Sequence, residues 1–343
     1  MTEQFDHARD DPRLNEEARA YLKTRPENLG DVWERIVRDA VGGDTAELSR
    51  VRNKRSVETP APEGVEIMDA DANGVPVRLY LPASRNRPKK IVLYFHGGGW
   101  VIGSIQSGSR FCGELAKAAD VIVAAAAYRL APEFPYPAAV HDCREAYLWI
   151  RRHAAEYGGD DGCIYAAGDS AGGNLAVVLA LQERLCGLML FYPVTTVVPG
   201  SYGESWEEFA HGYALDAKLM EAFTEAYVPE ILQDNPLVSP LESADLSKLP
   251  QTLCITAECD ILRDQGRRFC DLLRKAGVSV TELCFPGAVH LFVTVTGMDG
   301  DFRKGVFECT AFLQKQLITA SAAREARTVL QGQRSRRESP GLV

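Results

Sequence analysis

Gly168-Asp169-Ser170-Ala171-Gly172-Gly173-Asn174 decides the fold, because its G-x-S-x-G spacing sits between two contrasting runs. Before it lies apolar, strand-like Cys163–Ala167; behind it lies helix-forming Leu175–Leu181. A serine hydroxyl is a poor nucleophile at neutral pH and must be presented to a base and a substrate without obstruction. A strained strand-to-helix turn with small neighbours does this. The pattern alone is weak: with glycine at roughly 7% of residues, chance gives about one match in ten chains of this length. A helix N-cap serine is the ordinary structural reading of the same letters. The strand before and the helix after favour Ser170 as a nucleophile.

Upstream, the apolar run Ile91–Phe95 leads straight into His96-Gly97-Gly98-Gly99-Trp100. Attack on an acyl group creates a negative oxygen that needs fixed N–H donors about 3 Å away. Glycine lets the backbone turn those groups inward and lets a substrate approach closely. Gly97, Gly98 and Gly99 are therefore candidate oxyanion donors, joined by the N–H of Ala171. A lone triple glycine would read as a flexible turn; placement after a strand favours the donor loop. His96 is expected to stabilise that loop rather than act as a base.

Of six histidines (His7, His96, His141, His153, His211, His290), only the last two follow Ser170. In a nucleophile-elbow architecture the chain order is serine, acid, histidine. His211 has no strand before it. His290 follows the strand candidate Val278–Phe285 on the loop Pro286-Gly287-Ala288-Val289, where an imidazole reaches the carboxyl edge of a parallel sheet. The acid should end the preceding strand, Thr252–Ala257. Asp260 is the choice, to hold the imidazole in one tautomer; Glu258 is the alternative. Asp264 falls in a first helical turn, where the helix dipole stabilises a carboxylate.

The remaining strand candidates are Val121–Ala126 and Leu188–Tyr192, with helices expected at Ser109–Ala119, Pro137–Tyr157, Ala171–Arg184 and Leu262–Ala276. Their alternation implies a mostly parallel α/β sheet covered on both faces. Val65–Ala70 and Val75–Leu81 flank Asn73-Gly74 and read as an antiparallel hairpin at one edge. Two amphipathic helices are expected between Asp11 and Ser56. About sixty residues separate Tyr192 from Thr252, which implies a cap above the sheet. The expected division is an N-terminal cap part, 1–56; core, 57–198; cap insertion, 199–234; core, 235–318; and a C-terminal helix end with an Arg-rich tail, 319–343, the final stretch expected to be disordered.

The formal net charge of −9 argues against nucleic acid or an anionic membrane as partner. No apolar run has the length of a membrane span, and Met1–Leu14 has no signal-like apolar core. Nine cysteines without CxxC spacing imply reduced thiols and a cytoplasmic location. No Cys or His cluster has metal-ligand spacing, so no metal is expected.

Together, HGGGW (96–100), YRLAPE (128–133), PYPAA (135–139), GDSAGGN (168–174), NPLVSPL (235–241), DILRD (260–264) and GAVHLF (287–292) resemble the hormone-sensitive-lipase-like branch of the α/β-hydrolases. That branch includes bacterial esterases and arylacetamide deacetylase relatives. The resemblance runs from about Val75 to Phe312. It implies an eight-stranded, mostly parallel sheet, a helical cap built from the N-terminus and the insertion, and cofactor-free hydrolysis of short acyl esters of small molecules. It also implies a Ser170, Asp260, His290 triad, and a structural ion pair from the charged residues of Arg129-Leu130-Ala131-Pro132-Glu133. A homodimer is compatible with it.

Two other functions share this scaffold: an amidase or deacetylase of one metabolite, and a non-catalytic receptor such as the gibberellin receptors, in which the triad histidine is replaced. His290 argues against the receptor. The acidic insertion, with no extended apolar helix, argues against action on aggregated lipid. Trp206, Phe209 and Tyr213 either line a substrate pocket or form the cap's own small core, and the second is the expectation.

Overall fold

The computed structural model describes residues 8–54, 59–84 and 88–315. The expected disordered tail lies outside the described residues, as does His7. Strands β1 (Val65–Ala72), β2 (Val75–Pro82), β3 (Lys89–Phe95), β4 (Ile122–Ala126), β5 (Gly159–Asp169), β6 (Leu188–Phe191), β7 (Thr252–Cys259) and β8 (Val280–Val289) form one sheet, ordered β1-β2-β4-β3-β5-β6-β7-β8. Only β2 runs against the rest, pairing antiparallel with β1 and β4. Asn73 and Gly74, at φ 56° and 95°, make the hairpin turn, and Ala72 already pairs with Val75. Both residues occupy the left-handed region that a tight hairpin demands. β4 and β6 are buried along their whole length. That is why they read as continuous apolar runs rather than alternating ones.

Helices α4 (Ser109–Ala119), α5 (Ala138–His153), α6 (Ala171–Gln182) and α9 (Arg263–Lys275) pack on this sheet and on each other. α6 is buried from Ala171 to Ala180 because it lies against β3, β5, β6 and α5. A further helical stretch covers 299–315.

The N-terminal part holds three helices rather than two: α1 (Glu16–Lys23), α2 (Leu29–Val41) and α3 (Ala46–Lys54). The insertion supplies α7 (Ser205–Glu208) and α8 (Ala217–Tyr227). α2 packs on α8 and Arg38 pairs with Glu225 at 2.5 Å, so the two cap parts join over the sheet. Arg13 extends the junction, bonding buried Asp11 and also Glu208, which Arg263 of α9 holds at 3.0 Å.

The ion pair expected within 129–133 does not form. Arg129 instead makes a bidentate pair with Asp142 of α5, and Glu133 takes Arg52 of α3 at 2.8 Å. Arg52 also donates to the carbonyls of Val101 and Ala131. Four residues apart in a non-helical loop, Arg129 and Glu133 point to different neighbours, one to the core and one to the cap.

Candidate active site

β5 ends at Asp169, and Ser170 follows at φ 55°, ψ −119°, before α6 begins. The backbone there is held in a conformation most side chains avoid. What holds it is hydrogen bonding: Ser170 N–H donates to Phe191 O at 2.9 Å, and Ser170 O accepts from Asn174 and Val194. Small neighbours are obligatory. A Cβ on Gly172 would fall 2.0 Å from Phe95 O, and one on Gly168 would fall 2.3 Å from the Gly172 carbonyl.

The glycine loop after β3 lies beside this elbow. Gly98 and Gly99 take φ 114° and 60°. Gly97 corrects one expectation: its N–H donates to Asp169 Oδ1 at 2.9 Å, so it lines the cavity but has no donor left for an oxyanion. Among the described residues, no protein acceptor takes the N–H groups of Gly98, Gly99 or Ala171. Asp169 also accepts from Tyr94 Oη. Its carboxyl is pushed up by burial, with the Tyr94 and Gly97 bonds pulling the other way. His96 is buried, its Nδ1 on Gly97 O at 2.8 Å and its ring stacked on Tyr128, and burial pushes it down to about 4. It is a neutral strut at ordinary pH.

β8 runs further than expected, to Val289, because a register shift between Ala257 and Cys259 lets Cys259 pair with Val289. His290 follows directly. Its Nδ1 lies 2.7 Å from Asp260 Oδ2, with His290 2% and Asp260 1% exposed. Asp260 Oδ1 takes the N–H of Leu262, which fixes the carboxylate plane. Nδ1 is thus engaged, and Nε2 is left for the cavity that Ser170 also lines. Tyr192, not singled out from sequence, packs its ring 4.3 Å from the imidazole. Glu258 is occupied elsewhere, accepting from Gly287 N–H at 2.7 Å. Asp264 sits in the first turn of α9 and holds Ser205 N–H. His211 is 63% exposed, 3.0 Å from Asp216, and outside this cavity.

The cavity measures about 330 Å³ and is roofed by Leu215, Leu219, Met220 and Phe223 around α8, with Trp33 of α2. Trp206, Phe209 and Tyr213 do not line it: Trp206 stacks on Tyr202, and Phe209 meets Tyr213 edge-on. They form the cap's own core. No sequence period marks Trp33 or Phe223 as cavity residues, since helical apolar spacing serves packing and lining alike. Among the described residues there is no cluster suited to a metal ion, and no helix is long and apolar enough to cross a membrane.

A serine on a strand-to-helix elbow, a buried acid–histidine pair and free N–H donors on one cavity define a serine hydrolase on an α/β sheet. The chain belongs to the α/β hydrolase fold family, which matches residues 92–294, in its hormone-sensitive-lipase-like branch. It is 39% identical over 267 residues to the carboxylesterase NlhH of Mycobacterium tuberculosis, covering 73% of this chain and 83% of that protein. It is 37% identical over 247 residues to an arylesterase of Saccharolobus solfataricus, covering 68% and 80%. An α/β hydrolase enzyme from the metagenome of Lake Arreo, Spain, superposes with a TM-score of 0.76 at 30% identity, covering 89% of this chain and 99% of that one.

Proposed function

We propose that this protein is a serine carboxylic-ester hydrolase for short acyl esters of small molecules, with Ser170, Asp260 and His290 as its triad. The observation that carries this is the buried 2.7 Å His290–Asp260 contact opening on the same cavity as Ser170. Ser170 Oγ attacks the ester carbonyl while His290 Nε2 takes its proton. Asp260 holds the tautomer and stabilises the imidazolium. The N–H groups of Gly98, Gly99 and Ala171 receive the oxyanion. His290 then protonates the departing alcohol, and water activated by the same imidazole releases the acid from Ser170. No step needs a cofactor. Relatives called carboxylesterase and arylesterase support the reaction class. The cavity's modest volume of about 330 Å³ supports a short acyl chain, and nine free cysteines support a cytoplasmic setting.

The test is hydrolysis of 4-nitrophenyl esters from acetate to laurate, wild type beside Ser170→Ala. Turnover on the shortest chains, falling by about 10⁴-fold or more in the variant, is expected. Folded wild type without turnover on any of them would overturn the reading.

A further inference from the structure

We propose that the catalytic cavity takes esters bearing an anionic group, a carboxylate on the acyl or the alcohol half, and that Arg25, just past the C-cap of the first cap helix, recognises it. This rests on the ester-hydrolase reading and adds to it the charge of the substrate.

The cavity does not end at the α8 roof. Arg25, Trp33, Ala214 and Leu219 line both it and a neighbouring cavity of about 200 Å³ between the N-terminal segment and the insertion. Every other charged side chain on the two walls has a partner. Asp169 is bonded by Tyr94 and Gly97, and His290 by Asp260. Arg9 pairs with Glu27 at 3.1 Å, and Asp216 takes His211 at 3.0 Å and Gly212 N–H at 2.8 Å. Arg25 is the exception: its guanidinium lies 5.3 Å from the Tyr21 ring centroid, and no carboxylate among the described residues is within ion-pair distance.

A half-buried guanidinium resting on an aromatic face keeps its planar fork for a ligand, and a carboxylate fits that fork with two charge-assisted hydrogen bonds. Leu215, Leu219, Met220 and Phe223 line the same cavity as Ser170 and Arg25 and suit the carbon stem joining ester to anion. The donors to Asp169, Tyr94 Oη and Gly97 N–H, are neutral and leave its charge beside Ser170, so a negative group is drawn to Arg25 instead. The −9 net charge repels anions at long range. Preference for an anionic ester therefore has to come from a group inside the cavity, and Arg25 is that group.

The experiment compares kcat/KM for two matched pairs. Mono-4-nitrophenyl glutarate against 4-nitrophenyl pentanoate places the charge on the acyl half. 4-Acetoxybenzoate against 4-methylphenyl acetate places it on the alcohol half. Wild type, Arg25→Gln and Arg25→Lys are measured. The charged-to-neutral ratio of at least one pair should fall about tenfold in Arg25→Gln, as for one lost charge-assisted contact. Arg25→Lys, which keeps the charge, should recover part of it, and the pair that responds identifies the half facing Arg25. Ratios equal in all three proteins, with the neutral esters still hydrolysed, would overturn the role of Arg25 and leave the hydrolase standing. Failure of wild type on all four esters would overturn both.

Discussion

Asp260 and Glu258 sit two residues apart at the end of one strand, yet they do different work. Asp260 faces His290, while Glu258 anchors Gly287 N–H on the next strand. Asp260→Asn should cut kcat by about 10⁴-fold, because an amide cannot hold the imidazole in the same tautomer. Glu258→Gln keeps an acceptor for Gly287 and should stay within about tenfold of wild type by the same assay. His96 gives a pH signature. Its folded imidazole is pushed to about 4, below the ordinary 6.5, so the folded state binds fewer protons between those values. Its contribution is intact above pH 6.5 and is lost as pH falls towards 4, on the order of 3 kcal/mol in full. Denaturant melts at pH 7 and pH 4.5 should show that loss, and His96→Gln should flatten it.

At the level of elements, α8 presses on the glycine loop after β3. A Cβ on Gly99 would fall 2.1 Å from the Phe223 ring, at a backbone φ of 60°. Gly99→Ala should lower kcat about a hundredfold, as loss of a well-placed oxyanion donor does. Adding Phe223→Ala should restore at least about tenfold of it, a coupling that a double-mutant cycle reads directly. Elements were legible from sequence where periodicity was strong. The central strands, the elbow and the helices behind them lie within a few residues of expectation. α3 does not stand out in the sequence because, among its described residues, only Leu48 is buried, leaving too little apolar signal to set it apart from α2. Long-range pairing was not legible at all. Nothing in the local letters says that Gly97 N–H is taken by Asp169, or that Arg129 prefers Asp142 to Glu133.

Across the whole molecule, the cap is joined to the core at several points rather than at one hinge. Arg52 ties α3 to Val101, Ala131 and Glu133, beside the glycine loop. Arg52→Ala should lower Tm by about 3 °C, as expected for the loss of part-buried hydrogen bonds to Val101 O and Ala131 O in a chain this size, and differential scanning calorimetry would measure it. A second join lies under the histidine. Asn15 caps α1 through Oδ1 on Ala18 N–H, and donates its own N–H to Gly287 O and its side-chain amide to Pro286 O and Asp301. A Cβ on Gly287 would fall 2.3 Å from Asn15 N.

The cap is therefore not a portable specificity cassette. A chimera that exchanged the N-terminal helices with those of a relative would cut the chain between two halves of one fitted joint, and the strand delivering His290 would lose its abutment. Grafts made to alter substrate choice need to carry Asn15 and the Pro286-Gly287 corner as a single inherited unit. Cap swaps that split them should slow the chemistry itself rather than redirect it.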